Sequence, residues 1–183
     1  MKKIIFLFLL LLTSCMTDYD KAPALRDYSK GPFLELPVSR ILVVSKAKTD
    51  NTPPHAEHLM PMSVERFIKS WAAVHLHPTY KTQGKAQFII NEASMIQEDA
   101  PENSFFVYDN YKYQLKYQIA VVMYDETGHK GTSFEVEGFL SRTLPKKASQ
   151  EQRDNMFTHM LNDLEEQLNR EIKLQIQENH LDQ

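Results

Sequence analysis

From Tyr111 to Leu144, apolar and polar residues alternate with a period of two on either side of Asp125-Glu126-Thr127-Gly128. Tyr113, Leu115, Tyr117, Ile119, Val121 and Met123 share one parity before the turn, and Thr132, Phe134, Val136, Gly138 and Leu140 share one after it. Successive strand side chains point to opposite faces, so each set lines one face and the stretch predicts a long antiparallel hairpin. The two sets have opposite parity, so opposed residue numbers must sum to an odd number and the loop must be even. Thr127-Gly128 or the four residues Asp125 to Gly128 satisfy this; the longer loop pairs Ile119 with Phe134, Tyr117 with Val136 and Lys116 with Glu137. The opposite face carries Gln114, Lys116, Gln118, Glu135, Glu137 and Ser141, and is expected to stay wet.

Other elements follow from the same kind of pattern. Ile41-Leu42-Val43-Val44 predicts a central strand buried on both faces. Val64, Phe67, Ile68, Trp71, Ala72 and His75 recur at helical spacing, so Met62–Leu76 predicts a helix, bounded by Pro61 before it and Pro78 after it. Ala86 to Gln97 predicts a second strand. Ser149, with Gln152 three residues on, opens a last helix to about Ile176, whose stripe is Phe157, Met160, Leu161, Leu164, Leu168 and Ile172. Phe105-Phe106-Val107-Tyr108, just before the hairpin, is an apolar patch with two readings, a cap on one end of the sheet or an exposed contact for a partner or a lipid headgroup layer. The order strand, helix, strand, hairpin, helix predicts an α+β domain over residues 33–183, with two helices on one face of a mainly antiparallel sheet.

The N-terminus has a different pattern. Lys2 and Lys3 precede the unbroken apolar run Ile4 to Leu12, which is followed by Leu12-Thr13-Ser14-Cys15. A basic start, a short apolar core and small residues before a cut point describe an export signal over residues 1–14. The run falls short of the roughly 20 residues that a spanning helix needs. Cys15 is the single cysteine in the chain, so a monomer contains no disulfide. Residues 15–32 are mostly polar, contain Pro23 and Gly31-Pro32, and read as a tether.

Leu12-Thr13-Ser14-Cys15 resembles the lipobox of bacterial lipoproteins. That resemblance implies acylation of the Cys15 thiol, cleavage before it, and attachment to a membrane through the acyl chains. Met16 stands where an aspartate would imply inner-membrane retention, so the resemblance favours the outer membrane. The layout from Ile41–Val44 through Tyr113-Gln114-Leu115 to Leu144 and the last helix also resembles small envelope lipoproteins. Among these are the lipopolysaccharide-assembly lipoprotein and the auxiliary lipoproteins of lipid-transport ABC systems. The expectation is a non-enzymatic, periplasm-facing accessory or scaffold subunit with an envelope protein partner. Gln118, Glu135 and Glu137, on the wet face of the hairpin, are the candidate contact residues.

Charge and chemistry narrow the choice. Removing residues 1–14, which hold two lysines and no acidic residue, takes the formal net charge from −3 to −5. A nucleic-acid partner would call for a basic stripe instead. None of the five glycines falls in a phosphate-cradling or dinucleotide-binding pattern, and no nucleophile motif is present, so no cofactor is expected. His55, His58, His75 and His77 bracket the first helix, and imidazoles bind zinc or copper. They carry the alternative reading, a periplasmic ligand- or metal-binding lipoprotein.

Overall fold

The computed structural model describes residues 32–48, 50, 52–101 and 109–181. The signal, the tether up to residue 31 with Cys15, and the Phe105–Tyr108 patch lie outside these residues. In chain order the elements are β1 (Leu34–Leu36), β2 (Arg40–Ser45), α1 (Val64–His75), β3 (Leu76–Pro78), β4 (Lys85–Asp99), β5 (Asn110–Tyr124), β6 (Lys130–Pro145) and α2 (Gln150–Glu178). A four-stranded sheet runs β2-β4-β5-β6, and β1 and β3 form a small parallel pair beside it. The fold is α+β, as the element order predicts, and both helices contribute to one core against the sheet.

The largest correction concerns β2. It is an edge strand, not a central one, and runs parallel to β4. A parallel neighbour needs a crossover, and α1 supplies it. Leu42, Val43 and Val44 remain 39%, 37% and 38% exposed, while Ile41 packs partly against the core. A β-branched apolar run specifies an extended backbone, but it does not specify how many neighbours that backbone has.

The hairpin keeps the predicted parity and changes its turn. Ile119 pairs with Val136, Tyr117 with Gly138 and Leu115 with Leu140, so the sums are odd. These are the partners of the two-residue option; the four-residue pairing of Ile119 with Phe134, Tyr117 with Val136 and Lys116 with Glu137 does not occur. The turn itself is neither. Tyr124 pairs with Lys130, an even sum, and a register shift between Val122 and Tyr124 restores the odd one. The Asp125 Oδ1 accepts from the Thr127 N–H and the His129 N–H, both at 2.9 Å, and Gly128 takes φ +88. An odd loop is thus reconciled with the arms by one bulge. Thr132, beside that bulge, is exposed rather than on the buried set.

Along β5 the buried set is complete: Tyr113, Leu115, Tyr117, Ile119, Val121 and Met123 all lie in the core. On β6, Phe134, Val136 and Leu144 join it. α2 covers these residues with Met156, Phe157, Met160, Leu161, Leu164, Leu168, Ile172 and Ile176. At about 1.5 Å per residue, a helix of this length matches strands rising about 3.3 Å per residue, so α2 spans the sheet. Its start is a capping box: Ser149 Oγ accepts from the Gln152 N–H, and Gln152 Oε1 accepts from the Ser149 N–H. α1 packs its predicted stripe, and the Trp71 indole N–H donates to Asn169 Oδ1 at 3.1 Å, joining the two helices. That bond satisfies the polar end of a fully buried ring.

Candidate functional site

Away from the helices, the sheet presents an outer face whose side chains fall in rows across the strands. Toward the turn, Leu42, Gln87, Val122 and Ser133 form one row, and Val44, Ile89, Ala120 and Glu135 form the next. Ile89, Ala120 and Val122 make a small apolar cluster there with Tyr124 packed against it. A register shift between Ile90 and Glu92 leaves Asn91 as an extra residue on β4. The core-facing parity of β4 therefore changes, from Phe88 and Ile90 to Ala93 and Met95. Beyond this point the rows become polar: Glu92, Gln118 and Glu137, then Ser94, Lys116 and Phe139, then Ile96, Gln114 and Ser141.

These polar rows form an open concavity of about 740 Å³, with Glu92, Gln118, Glu137, Lys116 and Phe139 in its wall. Gly138, Tyr117 and Gln167 complete it on the side toward α2. Glu92 and Glu137 flank Gln118 from the two neighbouring strands, so their backbones stand about 10 Å apart at the usual strand spacing. Ser94 Oγ donates to Glu92 Oε1 at 3.2 Å. Phe139 is 66% exposed on this face. The arrangement offers two carboxylates, side-chain amides and one ammonium around an exposed ring. It can hold a polar or basic segment of another molecule by ion pairs and hydrogen bonds while covering Phe139.

Of the residues singled out from sequence, Gln118 and Glu137 meet directly across β5 and β6 in this concavity. Glu135 lies one row nearer the turn, opposite Ala120 and exposed. Lys116 stands opposite Phe139. Sequence reading missed Phe139 and Glu92. Phe139 did carry a signal, as an aromatic residue on the polar parity of β6. Glu92 takes its place through the bulge at Asn91.

The four histidines do not converge. His75 is buried; its Nδ1–H donates to the Pro32 carbonyl at 3.0 Å, its ring stacks on Trp71, and Nε2 lies 3.8 Å from Glu165 Oε1. His77 is exposed, with Nε2 3.0 Å from the Val74 carbonyl oxygen and its ring edge-on to Phe33. His55 pairs with Ile96, and its Nδ1 is 3.6 Å from Glu57 Oε1, which accepts the Met95 N–H at 3.0 Å. His58 is exposed on the short 3-10 turn Glu57–Leu59. Among the described residues, no group of three or more His, Cys, Asp or Glu side chains is placed to hold a metal ion. Nor is any helix among them long and apolar enough to cross a membrane.

No family model matches the chain, and no curated protein matches its sequence. Solved structures similar to it include a minor lipoprotein from Acinetobacter baumannii, at 16% identity and TM-score 0.40 over 74% of this chain and 93% of that one. The rare lipoprotein B of Shewanella oneidensis shows 10% identity and TM-score 0.43, covering 79% of this chain and 98% of that one. An uncharacterized lipoprotein B from Nitrosomonas europaea shows 17% identity and TM-score 0.44, covering 79% and 88%. At such identities and scores, nothing about binding or activity passes from those proteins to this chain.

Proposed function

We propose that this chain is a non-enzymatic, lipid-anchored protein of the cell envelope. In this reading it serves as an accessory or scaffold subunit in outer-membrane assembly or lipid transport. Cys15 carries the anchor, the domain faces the periplasm, and the outer membrane is favoured over the inner by Met16. The observation that carries the docking part is the row Glu92, Gln118, Glu137 beside the exposed Phe139, on the sheet face opposite the core that α1 and α2 cover. A monomer gains nothing from holding an aromatic ring in water beside an open polar concavity, whereas a partner surface covers both.

Two experiments test the reading. Photo-crosslinkable residues placed at Gln118 and at Glu137 of the full chain in cells are expected to give the same discrete envelope-protein adduct. Diffuse labelling, or none from either position, would remove the docking claim. Fatty-acid labelling compared between the natural chain and Cys15→Ala tests the anchor, which predicts label in the first and none in the second.

A further inference from the structure

The end of the domain where residues 16–31 join it carries aromatic and basic groups that the outer face does not use. Phe33 is 59% exposed and Tyr80 is 69% exposed. Phe33, Lys81 and Lys173 line one depression of about 200 Å³, with Glu35 as the acidic residue in its wall. Tyr80 sits between Thr79 and Lys81, which both border that depression. Its backbone takes φ +59, a left-handed conformation that a Cβ disfavours. The strain is held in place by the Tyr80 N–H donating to the Val38 carbonyl and the Thr79 N–H donating to the Leu36 carbonyl, both at 3.0 Å. A large aromatic ring at a strained position, left in solvent, has no packing reason to be there.

The chain enters the domain at this same place. Buried His75 holds the Pro32 carbonyl, one residue before Phe33. Residues 16–31 separate that point from Cys15, a contour of at most about 55 Å. Of all faces, the one bearing Phe33 is thus the one tied most directly to the anchor. Lys81 and Lys173 also place ammonium groups here, on a chain whose formal net charge is negative.

We propose that the face bearing Phe33, Tyr80, Lys81 and Lys173 rests on the anionic surface of a phospholipid bilayer. The two rings sit at the boundary between headgroups and acyl chains, and the ammonium groups meet lipid phosphates. This rests on the reading of Cys15 as a lipid anchor. Once the anchor is inserted, the face operates at high effective concentration, so a weak interaction suffices to orient the domain.

The test uses the full lipidated chain in vesicles of phosphatidylethanolamine and phosphatidylglycerol containing shallow doxyl-labelled lipid. Tyr80→Trp, Phe33→Trp and Phe139→Trp are compared against the constant background of buried Trp71. Emission from positions 80 and 33 is expected to shift to the blue and to be quenched several-fold more strongly than at position 139. Lys81→Glu with Lys173→Glu is expected to remove that difference. Protein that floats with the vesicles but shows equal quenching at all three positions overturns this inference alone. Protein that carries no lipid and does not float overturns the anchor reading as well.

Discussion

Tyr117 lies across Gly138: a Cβ at Gly138 would stand 2.7 Å from the Tyr117 hydroxyl oxygen and 2.8 Å from its Cζ. The two residues are cross-strand partners, and the ring, only 2% exposed, fills the space that a side chain on β6 would take. Gly138→Ala is expected to lower stability by about 1–3 kcal/mol, the usual cost of overpacking, despite the backbone entropy that alanine saves. In a Tyr117→Leu background the cost should shrink, because leucine lacks the atoms that clash. Urea unfolding of the four proteins checks this, and an equal cost in both backgrounds would sink the account.

The same ring predicts a response to alkali. Burial, and then the nearby Glu171 carboxylate, push the Tyr117 hydroxyl up to about 12. In the unfolded chain a tyrosine ionises near pH 10. The unfolded state therefore releases its proton first as pH rises. The stability that goes with the neutral hydroxyl is intact below about pH 10 and is lost as pH climbs toward about 12. Burial also raises Tyr113, in the same direction. Tyr117→Phe gives up a long 3.5 Å hydrogen bond to Gln167 and little else. Its denaturation midpoint should fall less between about pH 9 and pH 11 than that of the natural chain. Parallel curves for the two proteins would contradict the assignment.

These two residues also show what was legible in the sequence. Tyr117 and Gly138 declare their face through parity, because a one-residue slip would expose every apolar side chain on the arm. The helix stripes were readable for the same reason: burial on one side leaves a period. Turn chemistry was less readable, since an odd loop and a bulge together mimic an even loop along the arms. Asn91 hid the phase change on β4, so Glu92 could not be placed on the outer face. The histidines were near in sequence without converging, because α1 stands between His55 and His58 at its start and His75 and His77 at its end, and His75 is buried in the core while His77 is exposed.

Edge and centre make the third prediction. Val44 and Ile89 are neighbours on the outer face, whereas Ile90 points into the core and is fully buried. A strand buried on both faces would make both β2 and β4 intolerant of change. With β2 at the edge, Val44→Thr is expected to stay within about 0.5 kcal/mol of the natural chain. Ile90→Ala is expected to cost about 2–5 kcal/mol, from lost transfer energy and the cavity left behind. Thermal or urea unfolding separates the two, and a loss at Val44 comparable with that at Ile90 would restore the central-strand reading.

Phe139 separates folding from docking. Its ring is exposed on β6, opposite Lys116 and one row from Glu137. Removing an exposed ring takes little from the core, so Phe139→Ala should change stability by no more than about 0.5 kcal/mol. If the concavity is a docking surface, the same ring is its apolar anchor, and anchors of this type carry a large share of binding energy. The yield of adduct from a crosslinker at Gln118 should then fall several-fold in Phe139→Ala, with the amount of folded protein unchanged. Glu137→Lys should lower it too, by reversing the charge presented to a basic segment. Unchanged yield in both variants would mean that the partner binds elsewhere on the domain.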